Sequence, residues 1–374
     1  MIRSMFWLLL PLCCMVIGAQ AQDPQPSLQN LGDSAPPLRM RAWVKGPPVE
    51  KLIKGRVYVL EFWASWCKPC VAGMPHLSEL ARKYRDRVTV LGIDIYEKRT
   101  TSLEKITAFV DSMGDRMDFQ IAVGDSNFIA GGWIEGFGEQ RSGIPRSFVV
   151  DSNGRIAWIG YPTQLDEVLP GIVNGTWDIG EARTTRDDNR RLAAMDDSLS
   201  YELMRFREDP FKVGDRGNPD SALLLIAQIV KTEPKLKYAP LMGSHTFISL
   251  LKTSPHKAYE FGKVAIATST YQEPDYHLIS GAIELYWDKL KLPAEIYRLG
   301  AEACQAEIDH RLYPESVSIS RFYHKMAEFY WRANDKAKAI DAAQKAIEVL
   351  RTKRDFSRAD MASYQSQLQR YRRK

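Results

Sequence analysis

Cysteine is scarce in this sequence, with five residues among 374, and two of them, Cys13 and Cys14, lie in an apolar N-terminal stretch. If that stretch is removed, Cys67, Cys70 and Cys304 remain, and three thiols cannot form a disulfide framework. A chain of this length can bury its own hydrophobic cores, so it does not need such a framework for stability. The close pair of cysteines is therefore better explained by chemistry than by stability.

Long apolar runs are equally scarce, and beyond the N-terminus no stretch is apolar enough to cross a bilayer. The N-terminus combines Arg3 with a short, proline-interrupted apolar run at residues 6–17 and with Gly-Ala-Gln-Ala at residues 18–21. A short positive region, a short apolar core and an A-x-A site are typical of a secretory signal peptide. We therefore predict that residues 1–21 are removed and that the mature chain is periplasmic or otherwise extracytoplasmic.

A lipoprotein anchor on Cys13 or Cys14 is the alternative to simple cleavage. Leu12 disfavours it, because lipoprotein signals favour a small residue before the modified cysteine.

The C-terminal segment at residues 321–374 is basic, with 14 basic and 6 acidic residues. The predicted extracytoplasmic location argues against nucleic acid as its partner. This basic segment is either the solvated face of terminal helices or a patch that attracts anionic partners or a membrane surface.

The composition is otherwise that of a globular protein, with 45% hydrophobic and 26% charged residues, and the length suggests about two domains. Residues 22–37 are polar and proline-rich and are predicted to form a flexible tether. Strand and helix patterns alternate over residues 38–176 and include a hairpin signal at Asn153-Gly154. This order predicts an α/β domain with a mixed sheet flanked by helices. Strands are predicted at residues 38–44, 56–64, 88–95, 119–123, 147–150 and 155–159, and helices at about 67–84, 103–113 and 163–173.

The chain changes character after the predicted α/β domain. Residues 177–200 are charged and predict a linker or a connecting helix, and residues 201–374 show no convincing strand alternation. Alanines recur seven residues apart at three places, as in the second helix of a tetratricopeptide hairpin, and the last copy also has Asn334-Asp335 where that repeat expects them. We predict an all-α domain of helical hairpins that binds a protein partner, with an ordinary helical bundle as the alternative for the first two copies, which keep little beyond the alanine pair. The alanine pairs are Ala258 and Ala265, Ala294 and Ala301, and Ala339 and Ala346.

The motif Cys67-Lys68-Pro69-Cys70 lies where an apolar strand gives way to an amphipathic helix. Unpaired backbone N–H groups and the positive end of the helix dipole stabilise a thiolate at such a helix N-terminus. Lys68 adds a nearby positive charge, and Pro69 suits an early helix position. Cys67 is therefore the predicted exposed nucleophile, and Cys70, one turn later and more buried, is the predicted resolving thiol.

Two further groups bear on this chemistry. Glu61 is a lone acid in the strand before the dithiol, where desolvation would raise its pKa and let it accept the proton of Cys70. The alternative is that Glu61 points to solvent at a strand edge. Cys304 lies in an alanine-rich helical run and is predicted to be a buried small residue, with a third redox thiol as the alternative.

Three segments of the chain together resemble a known family. Residues 61–70, the tripeptide Gly143-Ile144-Pro145 and residues 147–151 resemble the thioredoxin superfamily in its extracytoplasmic TlpA-like branch. The resemblance covers about residues 35–175 and implies a thioredoxin fold, with no cofactor other than a redox-active disulfide between the two motif cysteines. It also implies that the proline is a cis-proline facing the dithiol and that the backbone before it pairs with an extended substrate. We assign substrate binding to Trp66, Lys68, Pro69, Ile144 and Pro145.

The chain departs from this family in three respects. The glycine- and aromatic-rich approach to Pro145 at residues 125–142 is longer than the family leads us to expect, and it either shapes a partner groove or is only a loop. Some relatives carry an acid three residues after the second cysteine, where this chain has Gly73, so any role of such a group is absent here. The helical half over residues 201–374 has no counterpart in a plain thioredoxin. Its predicted repeats point to protein binding and not to catalysis.

Other uses of the cysteine pair fit the residues less well. A zinc site needs four ligands, and although His76 lies nearby, no second Cys-x-x-Cys follows, so we predict no metal. A haem attachment site needs histidine after the second cysteine, where Val71 stands. A disulfide across two residues closes too small a loop to stabilise a fold much.

The predicted activity is thiol-disulfide exchange. The dipeptide Lys68-Pro69 between the thiols resembles reducing relatives, so the chain is expected to reduce disulfides of secreted proteins and to be re-reduced by a membrane electron donor. A disulfide oxidant is one alternative. The other is a non-catalytic scaffold that binds a partner through its helical repeats, which the intact dithiol disfavours.

Overall fold

The computed structural model describes residues 28–140, 142–208, 215, 217–271, 276–310, 319–352 and 357–373. The predicted signal peptide and the first residues of the predicted tether lie outside these ranges. Within them, none of the helices combines the length and the apolar character that crossing a membrane requires.

Six strands form a single sheet in the first half of the chain, and they are β1 (Met40–Lys45), β2 (Val57–Trp63), β3 (Val88–Asp94), β4 (Gln120–Gly124), β5 (Arg146–Val150) and β6 (Ile156–Gly160). Their order across the sheet is β1-β4-β3-β2-β5-β6. β2, β3 and β4 are parallel neighbours, whereas β1 joins β4, and β5 joins β2 and β6, in antiparallel pairs. The mixed sheet predicted from the sequence is confirmed.

Four α-helices lie between or after these strands, and a fifth connects the first half of the chain to the second. They are α1 (Lys68–Lys83), α2 (Leu103–Met113), α3 (Ser126–Ile129), α4 (Leu165–Asn174) and the connecting helix α5 (Ile179–Leu203). Because successive strand residues point to opposite faces, Val59 and Trp63 of β2 pack in the core with α1, α2 and α4. Leu60 and Phe62 pack on the other face, against Trp133 of the segment after α3. The sheet is therefore covered on both sides, as its almost wholly apolar central strands require.

Residues 28–37 pack against the sheet, so the prediction of a flexible tether over residues 22–37 is wrong for this part. Leu31 is 3% exposed and lies in a hydrophobic core. The N–H of Gly32 donates to the carbonyl of Ile156 at 2.8 Å, which pairs this segment with the edge of the β5-β6 hairpin. Paired backbone groups and a buried leucine fix a segment whose composition alone suggests a linker.

In the second half, the regular elements among the described residues are all helices. Among the alternatives for residues 177–200, the connecting helix is the one observed, because α5 runs unbroken over 25 residues. The helices that follow are α6 (Pro219–Thr232), α7 (Pro240–Thr253), α8 (Pro255–Ala265), α9 (Tyr276–Tyr286), α10 (Ala294–Asp309), α11 (Ile319–Arg332), α12 (Lys336–Arg351) and α13 (Arg358–Arg373).

The hairpin of α11 and α12 forms where the sequence shows its fullest repeat. Asn334 takes a left-handed conformation with φ of 60°, and the side chain of Asp335 caps α12 by accepting from the N–H of Lys338 at 3.2 Å. Ala339 and Ala346 are fully buried, which lets the helices approach closely. The hairpin is observed, whereas its membership of the tetratricopeptide class stays a prediction.

Candidate active site

The dithiol lies at the start of α1, directly after β2 ends. Cys67 occupies the N-cap position, and its Sγ accepts a hydrogen bond from the backbone N–H of Cys70 at 3.3 Å. Pro69 lies in the first turn, where its missing N–H leaves no intrahelical bond unmade. The two sulfurs are joined as a disulfide. When this bond is reduced, the helix N-terminus and its N–H groups stabilise the Cys67 thiolate.

The disulfide is well covered. Cys67 is 3% exposed and Cys70 is 1% exposed, so the nucleophile is less accessible in this oxidised form than the sequence predicts. The Sγ of Cys67 lies 3.7 Å from the carbonyl oxygen of Ile144, which shields it on one side. Trp66 is 47% exposed and Lys68 is also exposed. These two side chains therefore form the solvent-facing border of the dithiol.

Across from the dithiol lies a cis peptide bond between Ile144 and Pro145, as the family resemblance implies. Gly143 precedes it with a φ of +64°, a conformation that glycine adopts without the steric cost other residues meet. This turn directs the carbonyl of Ile144 at the Sγ of Cys67. The prediction that Pro145 is in cis is confirmed, and the residue before it contacts the dithiol.

Glu61 lies within β2 and is 1% exposed, so the alternative that it points to solvent is wrong. Strand alternation places it on the face of the sheet that packs against α1, which carries Cys70. Burial raises the pKa of Glu61 to about 8, although a hydrogen bond from Ser147 and the charge of Arg146 lower it in part. Its Oε1 has no hydrogen-bond partner in the part of the chain that the structure describes. Glu61 is thus a buried carboxyl poised to hold or release a proton near neutral pH.

A pair of acids, Asp94 and Glu97, lies next to the segment that leads into the dithiol, and it was not predicted from the sequence. Asp94, at the end of β3, is 1% exposed, and burial followed by the charge of Glu97 raises its pKa to about 8. Glu97 Oε1 accepts the N–H of Ser65 at 2.5 Å, and the carbonyl of Tyr96 accepts the Nε1–H of Trp66 at 2.9 Å. The loop after β3 therefore holds the segment that leads into the dithiol. The sequence carries a signal for Asp94, because it is a lone acid in an apolar strand, as Glu61 is in β2.

Cys304 lies in α10, away from the dithiol in sequence, and is completely buried. Burial raises the pKa of its thiol to about 12. A thiol with this pKa is almost wholly protonated at neutral pH and is therefore a poor nucleophile. The environment agrees with the prediction of a buried small residue.

The fold and site together define a thioredoxin-fold protein with an intact dithiol. The family model described as Redoxin matches residues 31–170. Protein FixW of Rhizobium leguminosarum is 30% identical over 152 residues, which are 40% of this chain and 68% of that protein. Thiol-disulfide oxidoreductase ResA of Bacillus thuringiensis (strain Al Hakam) is 31% identical over 132 residues, 35% of this chain and 69% of ResA. A structural match to a thiol-disulfide isomerase from Corynebacterium glutamicum covers 38% of this chain and 97% of the isomerase chain, with 22% sequence identity and a TM-score of 0.32.

The chain belongs to the thioredoxin superfamily, in its TlpA-like branch, and is a thiol-disulfide oxidoreductase. Its first half has the thioredoxin fold, with the six-stranded mixed sheet described above. The Redoxin match ends before α5, so the helical half is an extension to the matched region.

Proposed function

We propose that this oxidoreductase reduces disulfides of proteins outside the cytosol. The observation that carries the proposal is the position of the Cys67 Sγ, at the N-cap of α1 and 3.7 Å from the Ile144 carbonyl beside cis-Pro145. This position combines a stabilised thiolate with an adjacent backbone edge that an extended polypeptide can approach. A reactive sulfur next to a peptide-binding edge is suited to disulfides carried by proteins.

The reaction begins with the reduced dithiol. The Cys67 thiolate attacks one sulfur of the substrate disulfide, forms a mixed disulfide and releases the other substrate sulfur, which takes up a proton. Glu61 accepts the proton of Cys70, whose thiolate then attacks the Sγ of Cys67 and releases the second substrate thiolate, which is protonated in turn. The substrate gains two electrons and two protons, and the enzyme is left with the Cys67–Cys70 disulfide.

Substrate binding is proposed for the residues that border the disulfide. The backbone of Ile144 would pair with an extended segment of the substrate, and Pro145 fixes the direction of that edge. Trp66 offers an exposed aromatic surface, while Lys68 and the half-buried Pro69 form the rim on the helix side. Backbone pairing reads sequence only loosely, so several disulfide-bonded proteins would be accepted.

The direction of electron flow and the location are part of the same proposal. The dipeptide Lys68-Pro69 between the thiols supports reduction, and a dithiol donor at the membrane would restore the reduced enzyme. The signal-peptide pattern of residues 1–21 supports a periplasmic or other extracytoplasmic location. The helical hairpin of α11 and α12 supports a protein partner for the second half of the chain.

A trapping experiment tests the mixed-disulfide mechanism. Cys70→Ala keeps the nucleophile but cannot resolve the intermediate, so we expect it to accumulate a covalent adduct with a disulfide-bonded protein such as insulin. Cys67→Ala is the matched control and should form none. Non-reducing electrophoresis and mass spectrometry of the adduct provide the measurement. If both variants form adducts equally, or neither does, Cys67 is not the attacking group.

The redox potential tests the direction of electron flow. A potential near that of thioredoxin, about −270 mV, supports reduction, whereas a value near −120 mV would make the chain an oxidant. Equilibration of the full chain with glutathione buffers, followed by alkylation and mass determination, measures the oxidised fraction of the dithiol. Cys304→Ala serves as the background for this titration, because it leaves only the two active cysteines in the mature chain.

A further inference from the structure

We propose that α5 positions the cis-proline loop of the active site through Arg186, Glu139 and Arg146, so that this helix controls how tightly a protein disulfide binds. The inference rests on the proposed reduction of protein disulfides. It assigns to the helix that enters the C-terminal half a direct part in the oxidoreductase site, beyond the recruitment of a separate partner.

The first link joins the loop to a buried carboxylate. Arg146 directly follows cis-Pro145 and is 6% exposed. Its Nε lies 3.3 Å from Oε2 of Glu139, and its guanidinium lies 4.5 Å above the ring of Tyr161. Since the Arg146 backbone is covalently bonded to the proline, a shift of this side chain is transmitted to the turn at Ile144.

The second link joins that carboxylate to α5. Arg186 forms a hydrogen-bonded ion pair with Oε1 of Glu139 and also donates to the carbonyl of Phe137 at 2.9 Å. Arg190, one turn further along α5, donates to the same carbonyl. Both side chains of the pair between Arg186 and Glu139 are only 12% exposed. The contact therefore fixes α5 to the segment that leads into the cis-proline.

The charges explain why the arrangement is sensitive to Arg186. One buried carboxylate is shared by two guanidinium groups, and its two oxygens face different partners. When one partner of a buried ion pair is removed, the remaining charge is left under-compensated and its surroundings rearrange. Without Arg186, Glu139 is free to turn both oxygens towards Arg146, which pulls on the residue next to Pro145.

A shift of Arg146 and the cis-proline turn affects substrate binding first. The edge at Ile144 is the proposed docking site for an extended polypeptide, whereas the sulfur chemistry depends on Cys67, Cys70 and Glu61. A displaced edge weakens the binding of a protein disulfide. Arg146 keeps its charge when Arg186 is replaced, so its effect on the pKa of Glu61, and with it the exchange steps, changes less than binding does. We therefore expect a change in KM with little change in kcat.

The test compares two arginines of one helix in the full chain. Arg186→Gln removes the link to Glu139, whereas Arg183→Gln removes a contact of similar kind, to the Leu31 carbonyl at 3.1 Å and to Asp33 at 3.3 Å, without touching the loop. With insulin as substrate, we expect Arg186→Gln to raise KM by roughly fivefold or more, the scale of a coupling between sites, with kcat within about twofold. Arg183→Gln should leave both constants within about twofold of the parent chain. Equal effects of the two variants would overturn the proposal.

Two additional variants keep the test decisive. If Arg186 acts through Glu139, the double variant Arg186→Gln/Glu139→Gln has the same KM as Glu139→Gln alone. A KM in the double variant that combines the separate increases of the two single variants would contradict this.

If Arg186→Gln does not fold, Arg186→Lys keeps the positive charge and should give a KM between the parent value and that of Glu139→Gln. A parent-like KM in Arg186→Lys together with a parent-like KM in Glu139→Gln would again overturn the proposal. Failure of the proposed function is seen separately, as a parent chain that reduces a small aromatic disulfide but not insulin.

Discussion

Ser147 on β5 donates a hydrogen bond from its Oγ to the buried carboxylate of Glu61 on β2. The two residues are direct partners in the antiparallel register of these strands. The hydrogen bond favours the ionised form of the acid, whereas burial favours the neutral form and is the larger effect. Burial therefore dominates the pKa of Glu61, and the strand pairing that also leads to the cis-proline adjusts it through Ser147.

Ser147→Ala is expected to shift the pH dependence of the second exchange step upwards. Loss of the hydrogen bond raises the pKa of Glu61 further, and a hydrogen bond to a charged group is worth about 1.5 kcal/mol or more, so the shift is about one pKa unit. The pH profile of insulin reduction under single turnover measures it. Ser152→Ala, at an exposed serine of the β5-β6 turn, is the control. An unchanged profile in Ser147→Ala would show that Glu61 is not the proton acceptor.

Glu61→Gln is expected to stabilise the oxidised protein at alkaline pH. The folded pKa, about 8, is raised above the ordinary value of 4.5, so the favourable contribution of this group is complete below pH 4.5 and is lost as the pH rises through 8. The amide never ionises, so at pH 9 the variant should be more stable than the parent chain by at least about 1.4 kcal/mol, the equivalent of one pKa unit.

Urea unfolding at pH 5, 7 and 9, followed by tryptophan fluorescence, measures this difference. Glu79→Gln alters an exposed carboxyl of α1 and is the matched control. A stability difference between Glu61→Gln and the parent chain that does not grow with pH would contradict the burial of a neutral acid.

Cys304→Ala is expected to leave turnover unchanged and to lower the free energy of unfolding by about 1 kcal/mol, because a fully buried sulfur is replaced by a small cavity. Steady-state reduction of insulin and urea unfolding measure the two effects. A fall in turnover greater than twofold would restore the alternative that Cys304 is a third redox thiol.

Asp335→Ala is expected to destabilise the helical half by about 1 kcal/mol, because it removes the side chain that caps α12. Thermal unfolding followed by circular dichroism measures the change. Asp341→Ala, which removes a carboxylate from the exposed face of the same helix, is the control and should have a smaller effect. If both variants unfold at the same temperature, the cap does not contribute.

Local patterns predict the first half of the fold closely. Alternation of apolar residues places all six strands within two residues of their observed ends. The position of Cys67 at a helix N-terminus follows from the strand before it and the helix after it. The cis form of Pro145 follows only from the family resemblance, because the local sequence around a cis-proline carries no comparable physical signal.

Features that depend on distant contacts could not be predicted in this way. The segment at residues 28–37 looks like a linker until the β5-β6 edge pairs with its backbone. The burial of Cys67 depends on the carbonyl of Ile144, which is 77 residues away in the chain. Glu139 and Arg186 are ordinary charged residues in the sequence, and only the fold brings them together.

Two consecutive residues of α5, Arg190 and Arg191, contact different halves of the chain. Arg190 donates to the Phe137 carbonyl of the oxidoreductase half, whereas Arg191 pairs with Glu233 of the helical half at 2.7 Å. The side chains of successive helix residues point about 100° apart, so two neighbouring residues of α5 can contact the two halves of the chain. Anyone excising the oxidoreductase half from this chain should therefore retain α5 through Arg190, because a cut at residue 176 would remove the contacts of Arg186 and Arg190 with residues 137–139.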